Sequence, residues 1–94
     1  MNLNKETLLH KKNIGVNSFG QPEYKVMGTF KGLIITSNNT EIKKSIETKE
    51  NTIILYTKYA DVEINDYVEY YNFYIVKSKI KIKNIYIYKL VEVY

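Results

Sequence analysis

The chain carries a single histidine, His10, followed by Lys11 and Lys12. As a general base it would need an acid or a nucleophile within hydrogen-bond reach, and its sequence neighbours supply neither. Asp61, Glu63, Asp66 and Glu69 form an acidic cluster. Their spacing matches no EF-hand loop, and aspartates around a turn ordinarily hydrogen-bond the backbone. A third set is basic and aromatic: Lys79, Lys81 and Lys83 alternate, with Tyr86 and Tyr88 close behind. Basic residues interleaved with stacking aromatics hold single strands on the β-face of OB-folds. Alternating lysine is equally the wet face of an amphipathic strand, where it keeps an edge from aggregating. There is no Cys, so no disulfide framework, thiolate metal site or Cys nucleophile exists. No GxGxxG, P-loop, GxSxG or zinc spacing occurs. The expectation is a chain with no catalytic residue, no metal site and no cofactor.

The elements that must position these groups are extended. Ile, Val and Tyr dominate the apolar residues and Ala is almost absent, which favours pleated sheet over helix. Glu6–Ile14 is a first strand with Leu8 and Ile14 on one face. His10 and Lys12 fall in the same phase, which calls for a bulge or an exposed edge. Gly15–Pro22 is a loop dense in turn formers. Tyr24–Ser37 is a second, longer strand, with Gly28 and Gly32 as sites of a bulge or bend. Asn38–Asn51 is polar and does not alternate. Ile42 and Ile46 stand i, i+4, so a short helix capped near Asn39 or Thr40 is one reading and a solvated loop the other. Thr52–Tyr59 is a strand. Asp61–Asp66 is a turn, and Tyr67–Tyr70 and Phe73–Val76 form a hairpin reversing at Tyr71-Asn72. The expected register opposes Tyr70 to Phe73, Glu69 to Tyr74 and Val68 to Ile75, so Val68, Tyr70, Phe73 and Ile75 share a face. Lys77–Lys83 turns through Lys83-Asn84 into Ile85–Tyr94. That pairing puts Ile80, Ile82, Ile85 and Ile87 on one face, with Val91 and Val93 continuing it. The other face then carries the lysines, Tyr86, Tyr88 and Tyr94.

Together these segments describe one all-β domain over residues 1–94. It is a small β-barrel or sandwich of about six strands with one long polar loop, residues 37–51. A chain of 94 residues buries only a modest core, so association with neighbours would help it. The net charge of +4 comes from Lys alone, since there is no Arg. Lysine is a flexible point charge without the bidentate fork used for base recognition. AT-rich coding would also give this composition, and non-specific nucleic-acid affinity is the alternative source. No apolar run approaches ~18 residues, so no membrane span is expected. The polar run after Met1–Lys5 predicts no secretory signal.

The order of segments resembles a known family. The loop Asn17-Ser18-Phe19-Gly20-Gln21-Pro22-Glu23-Tyr24 precedes a strand containing Phe30-Lys31-Gly32-Leu33-Ile34. A polar insertion follows, then Thr52–Val76, in which Asp66, Val68, Tyr70, Tyr74 and Val76 fit the pattern. Asn72 stands where the family usually has Gly, in a hairpin one residue shorter. From roughly Leu8 to Val93 the chain resembles the head-completion proteins of tailed bacteriophages. These are also called head-closure, head–tail connector or stopper proteins, and include related minor capsid proteins. The resemblance implies a structural, non-enzymatic neck protein of the virion, made in the bacterial host cytoplasm. It implies a β-barrel that joins a ring of copies beneath the portal protein. That ring would bridge to the tail or a tail-completion protein and help close the channel on packaged DNA. By position, the loop would bring Lys43, Lys44 and Lys49 to the DNA. Ile42 and Ile46, with Tyr86 and Tyr88, would then contact neighbouring subunits. The alternatives are an OB- or SH3-like nucleic-acid-binding module and a tail-completion protein.

Overall fold

A computed structural model describes residues 5–36 and 51–93. The described residues form six strands: β1 (Glu6–Val16), β2 (Pro22–Thr36), β3 (Thr52–Thr57), β4 (Tyr67–Tyr70), β5 (Asn72–Ile82) and β6 (Ile85–Glu92). They close into a barrel in the order β1-β2-β3-β6-β5-β4. Every pairing is antiparallel, including the β1–β4 and β3–β6 seams that join its two three-strand halves. Closure leaves little open sheet edge for a domain of this size to protect. The all-β reading of the sequence, a small barrel or sandwich of about six strands, holds. The possible helix near Asn39 and the loop residues Ile42, Lys43, Lys44, Ile46 and Lys49 lie outside the described residues.

Residues alternate cleanly where the barrel is complete. In β3, Ile53, Leu55 and Thr57 are buried while Thr52, Ile54 and Tyr56 are half-exposed. The interior combines Leu8, Phe30, Ile53, Leu55, Val68, Tyr74, Val76, Tyr88 and Leu90 with Val62 from the segment before β4. Gly32 faces this interior. A Cβ there would lie 2.5 Å from Leu55 Cδ1 and 3.1 Å from the Tyr56 carbonyl oxygen. Glycine at this point is thus a packing requirement of the β2–β3 approach. Gly28 serves differently: its φ of 127° sits at the register break between His10 and Lys11. The extra residue there is Met27 on β2, so on β1 His10 keeps the inward phase of Leu8 while Lys11 faces out.

Two expectations are corrected by the register. The β4–β5 hairpin pairs Tyr70 with Asn72, Glu69 with Phe73, Val68 with Tyr74 and Tyr67 with Ile75. Only Tyr71 stands between the strands, at φ 58°, instead of a two-residue loop. A shift of one residue exchanges faces. Val68 and Tyr74 go inside, while Phe73 joins Tyr67 and Tyr24 outside in a cluster with ring centroids 5.0–5.8 Å apart. Ile14, expected on the Leu8 face, is exposed instead because β1 and β2 run past the barrel as a two-stranded arm.

Candidate interaction surface

The C-terminal hairpin pairs as its sequence predicts, Ile80 with Ile87 and Ile82 with Ile85, but with the opposite face inward. The cause is a register break between Val76 and Ser78. Before it, Tyr74 and Val76 are buried. After it, Lys79 stands opposite Tyr88 and Lys81 opposite Tyr86. Tyr88 is fully buried and its hydroxyl donates to the Tyr59 carbonyl oxygen at 2.9 Å. It therefore cannot be a surface contact for a neighbouring subunit, and Tyr86 is half-buried beside it. Lys79 Nζ lies 5.3 Å from the Tyr86 ring centroid and donates to the Ala60 carbonyl at 2.9 Å and to Glu63 Oε1 at 3.2 Å. Lys79 thus serves the fold, whereas Lys81, 5.7 Å from the Tyr86 ring centroid, and Lys83 are exposed.

The isoleucines take the outside. Ile82 is 55% exposed, and Ile80 and Ile85 are exposed as well. Partner by partner, Leu33 lies beside Tyr56, Tyr56 beside Ile87, and Ile87 beside Ile80. One apolar row thus crosses four strands. A second runs from Ile35 to Ile54, and ends at Lys89. Val91 and Ile75 pair in a third. Among the described residues no carboxylate interrupts these rows; their charged member is Lys89, with Lys31 on β2, Lys77 on β5 and Lys58 just beyond β3 nearby. The acids collect elsewhere: Asp61, Glu63 and Asp66 before β4, and Glu69 on β4, paired with Lys11 at 2.9 Å. One side of the barrel is consequently apolar and basic. The β1–β2 arm adds further exposed apolar groups, with Phe19 at its tip 86% exposed. Monomeric proteins rarely expose apolar surface this continuous unless something covers it.

Inside the barrel the structure joins residues that the sequence kept apart. His10 is fully buried, with Nε2 2.9 Å from Asp66 Oδ2 and Nδ1 3.0 Å from the Tyr59 hydroxyl. Asp66 also accepts the main-chain N–H of Asn13 on Oδ1 and of Glu63 on Oδ2, each at 3.0 Å. A neutral imidazole protonated on Nε2 satisfies every partner, with Nδ1 accepting from Tyr59. The acid that local reading could not find for His10 lies 56 residues along the chain. The signal was indirect: two polar residues each placed in an otherwise apolar inward phase. An Asp–His–Tyr chain invites a catalytic reading, but burial first, then Asp61 and Asp66, push the Tyr59 hydroxyl above its ordinary value. A tyrosine nucleophile needs the reverse. The hydrogen bonds tie β1 to the segment between β3 and β4 and so form a buried polar brace. The Asp66 carboxylate does what the turn reading expected of an aspartate here, holding backbone amides. Among the described residues no cluster of His, Cys, Asp or Glu could hold a metal ion.

No protein-family model matches the chain, and no curated protein matches it.

Proposed function

We propose that this chain is a structural neck protein of a tailed bacteriophage or prophage, without enzymatic activity. It joins the portal of the DNA-filled head to the tail and helps close the DNA channel. The observation that carries this reading is the apolar, carboxylate-free outer face across β2, β3, β6 and β5. A closed barrel with a modest core and one such face is suited to packing between neighbours rather than to standing alone. The small closed all-β fold fits what the family resemblance implies. On this reading, copies meet each other and the portal through Ile80, Ile82 and Ile85, and not through Tyr88. Packaged DNA is met non-specifically, which needs no arginine.

The test is co-assembly of the purified chain with a candidate portal ring, followed by sedimentation and electron microscopy. The expected result is a defined collar of copies on the portal. Ile80→Asp together with Ile82→Asp should abolish the collar while leaving the far-ultraviolet circular dichroism unchanged. A chain that stays apart from both portal and tail-completion proteins would remove the proposal.

A further inference from the structure

Where β2 and β3 part company at one end of the apolar face, a groove of about 490 Å3 opens. Its walls are Phe30, Tyr56, Tyr59 and Ile85, and its charged residues are Lys5, Lys31 and Lys58. Among the described residues no carboxylate lines it. Tyr59 is held from both sides: its ring stacks on Phe30 at 4.5 Å with 12° between planes, and its hydroxyl is bound by His10. Burial of His10 and Asp66 behind it makes this aromatic wall rigid. The volume is that of a ligand site. The lining asks for a body with apolar, planar faces and more than one negative charge.

We infer that the groove binds single-stranded nucleic acid, with bases packed on the Tyr56 and Tyr59 side and phosphates against Lys5, Lys31 and Lys58. An acidic peptide is the competing occupant on charge alone. An extended peptide is usually held by main-chain hydrogen bonds to a free strand edge. Here the two main-chain groups at the parting point are taken, because the Thr57 hydroxyl donates to the Lys31 carbonyl and accepts from the Tyr59 amide. A single strand needs only ring faces and point charges, both of which the groove offers. Lysine without arginine gives binding without base recognition. This site lies outside the lysines that the family resemblance places near DNA; it shares Ile85 with the face proposed to meet neighbouring copies, and binding by the isolated chain tests it without the portal.

The test is fluorescence anisotropy of a labelled twelve-residue oligothymidylate titrated with the full chain. Three phosphate contacts predict a salt slope of about −2, so raising salt from about 50 to about 200 mM should weaken binding roughly fifteenfold. Tyr56→Ala should weaken it by about fivefold to a hundredfold through lost stacking. Lys58→Glu, at an exposed position, should weaken it strongly as well, whereas Lys77→Glu, the same charge change on β5, should not. Three results would overturn the inference: no saturable binding at about 100 μM protein, equal loss from Lys77→Glu and Lys58→Glu, or competition by a hexaglutamate peptide as effective as unlabelled oligonucleotide.

Discussion

Replacing Asp66 by alanine should cost this barrel a large share of its stability. The side chain is 5% exposed and accepts from His10 Nε2 at 2.9 Å, from the Asn13 amide at 3.0 Å and from the Glu63 amide at 3.0 Å. Alanine leaves three donors without an acceptor, and alanine supplies none. A buried donor left unsatisfied costs about 1–3 kcal/mol. The His10 nitrogen, sealed in the core, should fall at the upper end. The Asn13 and Glu63 amides lie nearer solvent and can recover part of theirs from water. The total is about 3–5 kcal/mol. A domain of 94 residues has roughly 5–14 kcal/mol to lose. With a urea slope near 1 kcal/mol/M for a small domain, the midpoint should fall by about 3–5 M. Urea titration followed by tyrosine fluorescence and circular dichroism reads this directly. A double-mutant cycle with His10→Ala should give a coupling of about 1.5–3 kcal/mol, since both variants break one hydrogen bond. Loss of less than about 1 kcal/mol at an unchanged slope would refute the brace.

Gly32→Ala should destabilise by about 1–3 kcal/mol, because its Cβ would press on Leu55 and the Tyr56 carbonyl; a urea midpoint within error of the parent would contradict that packing. Tyr71→Gly should stabilise by about 0.5–1 kcal/mol, since Tyr71 holds φ 58° and is 90% exposed; a loss in thermal midpoint would show that its edge-on contact with the Tyr70 ring outweighs the backbone strain. Burial, then Glu63, raises the Tyr88 hydroxyl well above its ordinary value of 10.0. The unfolded chain therefore sheds that proton first, so stability is complete below about pH 10 and falls as pH rises beyond it. Tyr88→Phe should flatten this alkaline limb in urea titrations from about pH 9 to 11, and an unchanged limb would count against it.

The composition, the alternation within Thr52–Thr57 and the Lys83-Asn84 reversal were enough to specify an all-β domain and most of its strand positions. Those are local properties: β-branched and aromatic residues suit a pleated surface, and period two marks a half-buried strand. Even an irregularity along β1 was legible, as a bulge or an exposed edge, because Leu8 and Lys12 cannot share one buried face. Three things were not. The β4–β5 register differs from the expected one by a single residue, and pairings in which Tyr70 opposes Phe73 or Asn72 both have apolar residues to bury. The inward face of Lys77–Glu92 looks reversed in sequence, since alternating Ile and Lys ordinarily puts Ile inside. The register break between Val76 and Ser78, together with the need to seat Tyr88 and Leu90 in the core, decided otherwise. Period fixes which residues share a face; only closure of the barrel decides which face is interior. His10, Asp66 and Tyr59 were each visible as residues, with no sign of one another. Their meeting depends on the β1–β4 seam and on the segment between β3 and β4, contacts across 49 and 56 residues of chain. What the sequence determined by itself was the kind of sheet. What tertiary structure decided was its inside and outside, and hence the surface available for function.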